Sequence, residues 1–223
     1  MINIAIDGPA GAGKSSIARF AAEQLGLIYV DTGALYRAIG LFALQRGGDA
    51  YNRALITGLL HSIDVELRYV DGEQRVYLCG ENVTQIIRTP EVSLAASAVA
   101  EIAAVREYLF RLQIEIAEKN NVIMDGRDIG TVVLPNASLK IFLTASAEER
   151  ARRRYHELLA QGRDVEFEEV LRDVNQRDHA DSTRAIAPMR PAHDAVIVDT
   201  TGKNFNQAAN EIISLIWQRT GLK

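Results

Sequence analysis

A chain of 223 residues, 48% hydrophobic and 24% charged, has the size and composition of a soluble globular domain with room for an insertion. A net charge of −4 argues against a broad nucleic-acid footprint, and no apolar run reaches the length of a membrane span. The lone Cys79 excludes an intrachain disulfide framework, and the four histidines show no metal-ligand spacing. A cytoplasmic monomer with small-molecule partners, rather than nucleic acid or membrane, is the expectation. No export leader is expected, because the first structural motif begins almost at once.

The first stretch, Ile2-Asn3-Ile4-Ala5-Ile6-Asp7, is apolar enough for a buried strand. Gly8, Pro9, Ala10, Gly11, Ala12, Gly13, Lys14 and Ser15 then meet every position of the eight-residue phosphate-binding loop, with Ser16 following. The glycines let backbone N–H groups approach an anion, and the helix from Lys14 to Leu25 adds its N-terminal donors. Lys14 can reach the β- and γ-phosphates of a nucleoside triphosphate, and the Ser15 hydroxyl can hold Mg²⁺. Gly26 stops that helix, and Leu27 to Val30 forms a second strand. Asp31-Thr32-Gly33 is a turn that caps a helix from Ala34 to Arg46. Gly47-Gly48 breaks it, and Ala50 to His61 is helical again.

From Ile63 to Val70 the pattern alternates with period two, Asp71-Gly72 signals a hairpin, and Arg75 to Cys79 alternates back. Gly80 to Val83 starts a third short strand. Residues 63–90 therefore read as an inserted antiparallel subdomain, or alternatively as an edge extension of the main sheet. Glu91 to Glu118 is expected as one helix, followed by a strand at Val122 to Asp125, then Gly126 to Gly130, then a strand at Leu139 to Leu143. An arginine-rich helix is interrupted at Gly162-Arg163-Asp164, and a second helix runs to Asp178. A fifth strand, Ala195 to Asp199, and a closing helix, Phe205 to Arg219, complete the chain. Apolar strands alternating with helices predict an α/β fold of the P-loop type. Its parts are a five-stranded parallel sheet with helices on both faces, a small antiparallel β insert and a short helical lid. The core is then 1–62 with 91–223, the lid lies at about 150–165, and the insert is 63–90.

Ligands of an open parallel sheet sit beyond the carboxyl ends of its strands, where Asp31 and Asp125 fall. Asp125 is the candidate second Mg²⁺ ligand beside Ser15, although a strand-end aspartate can also serve a turn. Arg37, Arg127, Arg150 to Arg154, Arg177 and Arg184 supply rigid forks suited to phosphate oxygens. Two readings of Arg150, Arg153 and Arg154 stay open. One is a mobile lid that hinges at Gly162 and encloses the transferring phosphoryl group; the other is a solvated face paired with Glu148, Glu149 and Glu157. No histidine or carboxylate stands out as a general base. A phosphate monoester acceptor, largely dianionic at neutral pH, needs cationic clamps and no base.

Four stretches carry a resemblance: Gly8 to Ser16, Asp31-Thr32-Gly33-Ala34-Leu35-Tyr36-Arg37, Asp125 to Val133, and Arg177 through Asp181 to Arg184-Ala185-Ile186-Ala187-Pro188. Together they resemble the bacterial cytidylate kinases, end to end and including the insert. The resemblance implies transfer of the γ-phosphoryl group of ATP to CMP or dCMP with Mg²⁺. It implies that Arg37 and Arg127, with Thr32 nearby, hold the CMP phosphate. Ser97, Arg106 and Asp128 would read cytosine; Arg177, Asp181 and Tyr36 would reach the sugar, and Arg184 the phosphates. Lys14, Arg127, Arg150, Arg154 and Arg184 form the candidate catalytic set. Alternatives are a kinase for another small acceptor, UMP or shikimate, and a non-catalytic P-loop switch.

Overall fold

In the computed structural model, which describes residues 1–46, 50, 52–70 and 72–222, strand β1 (Asn3–Asp7) has Ile4, Ala5 and Ile6 at zero exposure. A strand buried on both faces belongs in the middle of a parallel sheet. There β1 lies, flanked by β6 (Val122–Asp125) and β7 (Leu139–Thr144) in parallel register, Ile4 opposite Ile123 and Leu139. With β2 (Ile28–Asp31) and β8 (Val196–Asp199) the sheet has five strands in the order β2-β6-β1-β7-β8. The expected parallel sheet is thus present, and its crossovers place the phosphate-binding loop at the centre.

By its contacts the chain forms two compact units, Met1–Tyr29 with Asn120–Lys223, and Val30–Lys119. In the first, helices α1 (Lys14–Leu25) and α8 (Phe205–Thr220) cover the sheet. Ile17, Ala18 and Ala21 of α1 and Ile212 and Ile216 of α8 pack with Ile4, Ile6, Ile123 and Ile141. A capping box between Asn204 and Gln207 starts α8. Two further helices, α6 (Ala147–Ala160) and α7 (Phe167–Thr183), close on a small core of their own, Ala151 and Leu158 against Val170 and Val174. The break expected at Gly162 lies between them, with φ +75°. Helix α7 runs on to Thr183, past the expected end at Asp178, because no glycine or proline stops it.

The second unit holds α2 (Thr32–Gln45), α3 (Arg53–Leu59), α4 (Pro90–Val99) and α5 (Ala103–Lys119) with the antiparallel sheet β3 (Val65–Val70), β4 (Glu73–Leu78) and β5 (Glu81–Asn82). This unit is wider than the hairpin stretch 63–90, because Leu35 and Ile39 of α2, Val92 and Val99 of α4, and Leu109 of α5 share one core with Val65 and Val76. Gly72 sits in the hairpin turn with φ +79°, whereas Asp71 and the Gly47-Gly48 break lie outside the described residues. Helix α2 starts two residues before the expected Ala34, since Asp31 itself is the N-cap. The helix expected over Ala50 to His61 is shorter and ends in a 3₁₀ turn, Leu60–Ser62.

The single helix expected from Glu91 to Glu118 is instead two. Glu101 and Ile102 bond back three residues, to Ala98 and Val99, a tight turn that seats Ile102 in the core. Residues 98–102 contain neither glycine nor proline, so no local signal announced the break. Among the described residues no helix is long and apolar enough to cross a membrane.

Helices α2 and α4 meet closely at Gly40. A Cβ there would lie 2.9 Å from the Ala96 backbone nitrogen and 3.1 Å from the Ala95 carbonyl carbon. Gly40→Ala gains about 1 kcal/mol of helix preference but must push backbone apart. A net loss of about 1–3 kcal/mol is expected in urea unfolding, the cost typical of overpacking.

Candidate active site

The phosphate-binding loop leaves β1 through Gly8, whose φ is +139°. A Cβ on Gly8 would sit 1.9 Å from the Leu143 carbonyl oxygen, so only glycine lets the loop pass β7. Gly13 precedes α1 in a left-handed conformation and makes no side-chain cap, which leaves the first N–H groups of α1 for an anion. Ala10 and Ala12 carry carbonyls that are held from outside. Arg150 Nη1 donates to Ala10 at 3.1 Å and Thr200 Oγ1 to Ala12 at 3.3 Å.

Lys14 is buried, and its Nζ donates to the Pro9 carbonyl at 2.7 Å, folded back over the loop. Burial and the Arg127 guanidinium push its pKa down, while Asp125 and Asp7 work to hold it up. The Ser15 hydroxyl donates to Asp125 Oδ2 at 2.7 Å, and Tyr29 OH donates to Oδ1 at 3.1 Å. A hydroxyl and a carboxylate in contact at the mouth of a phosphate loop make an all-oxygen donor pair. That pair fits Mg²⁺, which takes few protein ligands and fills its octahedron with phosphate and water oxygens. Ser16 is exposed at the next position of the helix.

A second group of charges follows β6 in the same unit. Arg127 Nε donates to Asp181 Oδ2 at 2.8 Å, and Arg184 Nη2 to Asp128 Oδ1 at 3.2 Å. Arg184 also reaches the Ala187 carbonyl, 2.7 Å from Nε, and lies 3.9 Å from Asp181. Burial works to raise the Asp181 pKa, but Arg127, Arg177 and Arg184 together more than offset it and hold the carboxyl below its ordinary value. Arg177 in turn acts on Lys14, lowering its pKa. The fold thus gathers Lys14, Arg127, Arg177 and Arg184 with Asp125, Asp128 and Asp181 in one unit.

The remaining candidates lie in the second unit. Asp31 caps α2 by accepting from the Ala34 N–H at 2.9 Å and pairs with Arg37 Nη2 at 2.9 Å through its other oxygen. The Arg37 Nε is buried with no hydrogen-bond partner among the described residues. Thr32 is buried at the first position of α2. Arg106 is buried too, its guanidinium 5.7 Å from the Tyr36 ring centroid and 3.4 Å from the Ala100 carbonyl. A charged surface residue, the ordinary expectation for an arginine on a helix, does not describe Arg106. Ser97, partly buried on α4, donates to the Ser93 carbonyl at 3.3 Å.

The arginines of α6 behave unlike one another. Arg150 is 4% exposed and its fork is spent within the protein, on the Ala145 and Ala10 carbonyls and on both oxygens of Asp178. Arg153 binds Glu149 and Thr200, and Arg154 reaches Glu157 at 2.7 Å. The charged-face pairing expected with Glu149 and Glu157 is present for Arg153 and Arg154; Arg150 instead ties the phosphate loop to α7. Sequence reasoning passed over Tyr29, Asp178 and Thr200, which carry no local pattern. It also passed over Asp7, although Asp7 closes an apolar strand as Asp31 and Asp125 do.

Comparison with known proteins agrees with this geometry. The family profile described as cytidylate kinase matches residues 4–218. A protein of Caldicellulosiruptor bescii named cytidylate kinase is 51% identical over 217 residues, covering 97% of this chain and 96% of its own. One of Bacillus licheniformis with the same name is 47% identical over 214 residues, covering 96% of this chain and 95% of its own. Among solved structures, an uncharacterized protein from Eubacterium ventriosum shares the fold, with a TM-score of 0.54 at 13% identity over 98% of this chain and all of that one.

Asp178→Asn tests the part given to Arg150. Side-chain exposures of 5% for Arg150 and 23% for Asp178 mark a pair buried on one side only. Leaving Arg150 with a neutral partner is expected to cost about 2 kcal/mol in urea unfolding, below the value for a fully buried pair. A loss under about 0.5 kcal/mol, the scale of an exposed pair, would show that Arg150 is not held this way.

Proposed function

The chain belongs to the cytidylate kinase family, and from that membership we propose how its residues divide the phosphorylation of CMP and dCMP among them. ATP is the phosphoryl donor. The N–H groups of the loop Gly8 to Ser16 and the start of α1 cradle its phosphates, and Lys14 exchanges the Pro9 carbonyl for the β- and γ-phosphates. Ser15 and Asp125 would hold Mg²⁺, which would supply positive charge against that developing on the phosphates.

The observation that carries this reading is a lysine buried among arginines. Burial first, then Arg127 and Arg177, push the Lys14 pKa down against Asp125 and Asp7, an arrangement that a polyphosphate would relieve. Arg37 and Arg127, with Thr32 nearby, hold the acceptor phosphate; the buried Arg37 Nε supports this part. Ser97, Arg106 and Asp128 read cytosine. A carboxylate accepts from the exocyclic amine of cytosine and meets an acceptor oxygen in uracil. Tyr36, Arg177 and Asp181 reach the sugar. A phosphate oxygen of CMP attacks the γ-phosphorus, the bond to the β-γ bridging oxygen breaks, and ADP leaves with that electron pair. No covalent enzyme intermediate and no general base are needed, because the acceptor is already largely dianionic.

Lys14, Arg127, Arg184 and Arg154 stabilise the charge spread over the transferred group. For Arg150 the bonds to Ala10 and Asp178 favour a supporting part, holding the loop that cradles ATP. The stretch 150–165 is the lid, with the positive-φ Gly162 at its turn. Residues 63–90 form the insert that flanks the acceptor. The protein works as a monomer in the cytoplasm.

Coupled ADP release with ATP and Mg²⁺, offered CMP, dCMP, UMP, AMP, GMP and shikimate in turn, tests the reading. Turnover with CMP and dCMP well above the rest is expected. Activity confined to another acceptor would discard the cytosine contacts, and ATP hydrolysis stimulated by a partner without phosphoryl transfer would favour a switch. Lys14→Ala should lower kcat by at least about 100-fold, the scale of one lost oxyanion contact, at an unchanged melting temperature.

A further inference from the structure

We propose that Asp7 is a positioning residue for acceptor recognition: it caps the turn after β6 from a neighbouring strand and so releases the Asp128 carboxylate to face the base. This rests on the reading of Asp128 as a cytosine contact.

Residues Ile129–Val133 form a single wide, π-type helical turn, and Asp128 occupies its N-cap position. The first N–H groups of any helical turn need acceptors, and aspartate at the N-cap ordinarily supplies one. Asp31 does so in this chain, on the Ala34 N–H. Asp128 does not: its side chain makes no cap bond, and it faces Arg184 at 3.2 Å. Its place is taken by Asp7 at the end of β1. Asp7 Oδ1 accepts from the Ile129 N–H at 2.8 Å and Oδ2 from the Gly130 N–H at 2.7 Å. The approach depends on Gly130, since a Cβ there would lie 3.3 Å from Asp7 Oδ2 and 3.2 Å from the Lys140 side chain.

The identity of the residue also argues for a specific task. Asp7 is 4% exposed, and its pKa is raised to about 6, chiefly by burial with a smaller push from Asp128, against the two N–H groups and Lys14. A buried carboxylate is costly. Asparagine would avoid that cost but offers one acceptor oxygen for two donors, with its own NH₂ facing the second N–H. With Asp7→Asn, one amide of the turn loses its partner, and Asp128, already at the N-cap position, is a residue of the type that caps such a turn. Capping its own turn would withdraw Asp128 from the acceptor.

The test compares wild type, Asp7→Asn and Asp128→Ala in steady-state kinetics with CMP and with UMP, beside hydrogen exchange and melting temperature. For Asp7→Asn we expect KM for CMP to rise about tenfold or more, the scale of a lost charge-assisted hydrogen bond, and by clearly more than KM for ATP. The preference for CMP over UMP should fall toward that of Asp128→Ala, and the Ile129 and Gly130 amides should exchange faster. Where the Asn variant does not fold, Asp7→Ser carries the same test, its hydroxyl accepting from one of the two N–H groups. A folded Asp7 variant with a wild-type CMP preference, or with equal losses for every substrate, overturns the proposal alone. A wild type indifferent between CMP and UMP, or Asp128→Ala with an unchanged preference, overturns the reading of Asp128 and the proposal with it.

Discussion

Three strands of this protein end in a buried aspartate, Asp7, Asp31 and Asp125, and a carboxylate taken out of water must be satisfied by whatever lies nearby. Each solves the problem differently. Asp7 accepts two backbone N–H groups of the turn after β6. Asp31 divides itself between a helix N-terminus and the Arg37 fork. Asp125 takes two hydroxyls, Ser15 and Tyr29. The partner chosen decides what the following segment can do: form a turn that its own carboxylate does not cap, aim an arginine, or offer oxygen ligands to a cation.

Arginine follows the same logic of partners. A guanidinium has five donors in a fixed plane, so one that meets protein carbonyls and a carboxylate on every edge has little left for a ligand. Arg150 is of that kind, with Ala145, Ala10 and Asp178 around it. It links the phosphate loop to α7, the helix that also carries Arg177 and Asp181. Arg127 and Arg184 each pair with a carboxylate, Asp181 and Asp128, besides one carbonyl close by in the chain, Gly126 and Ala187. Ion pairs with side chains can be exchanged for a phosphate or a base more readily than bonds to a rigid backbone loop can be broken. The distinction separates cations that build the site from cations suited to serve a substrate.

The second unit shows why packing, and not charge alone, delivers these groups. Arg37 sits on α2, whose Gly40 lets α4 approach to backbone distance, and Ser97 is carried on α4. Arg106 is buried beside Tyr36 just after the tight turn that separates α4 from α5. Helices drawn this close have little freedom to slide, so polar side chains on them are fixed in place as firmly as the core.

By itself the sequence determined whatever short-range chemistry governs. The loop Gly8 to Ser15, the apolar strands, the hairpin alternation and the stop at Gly26 follow from spacing, glycine conformation and period, all properties of neighbours along the chain. The same is true of Ser15 and Asp125 as a candidate oxygen pair, because each sits at a strand or loop end whose direction the pattern implies. Tertiary structure alone decided the turn at Ala100 to Ile102, which no glycine or proline marks, and the burial of Arg106. It decided that Arg150 supports the loop while Arg153 and Arg154 share the same helix. It also brought Asp7 to amides 122 and 123 positions away, leaving Asp128 uncapped by its own side chain. A carboxylate's partner is set by which strands lie side by side, and strand order is a property of the packed sheet that no local stretch of chain contains.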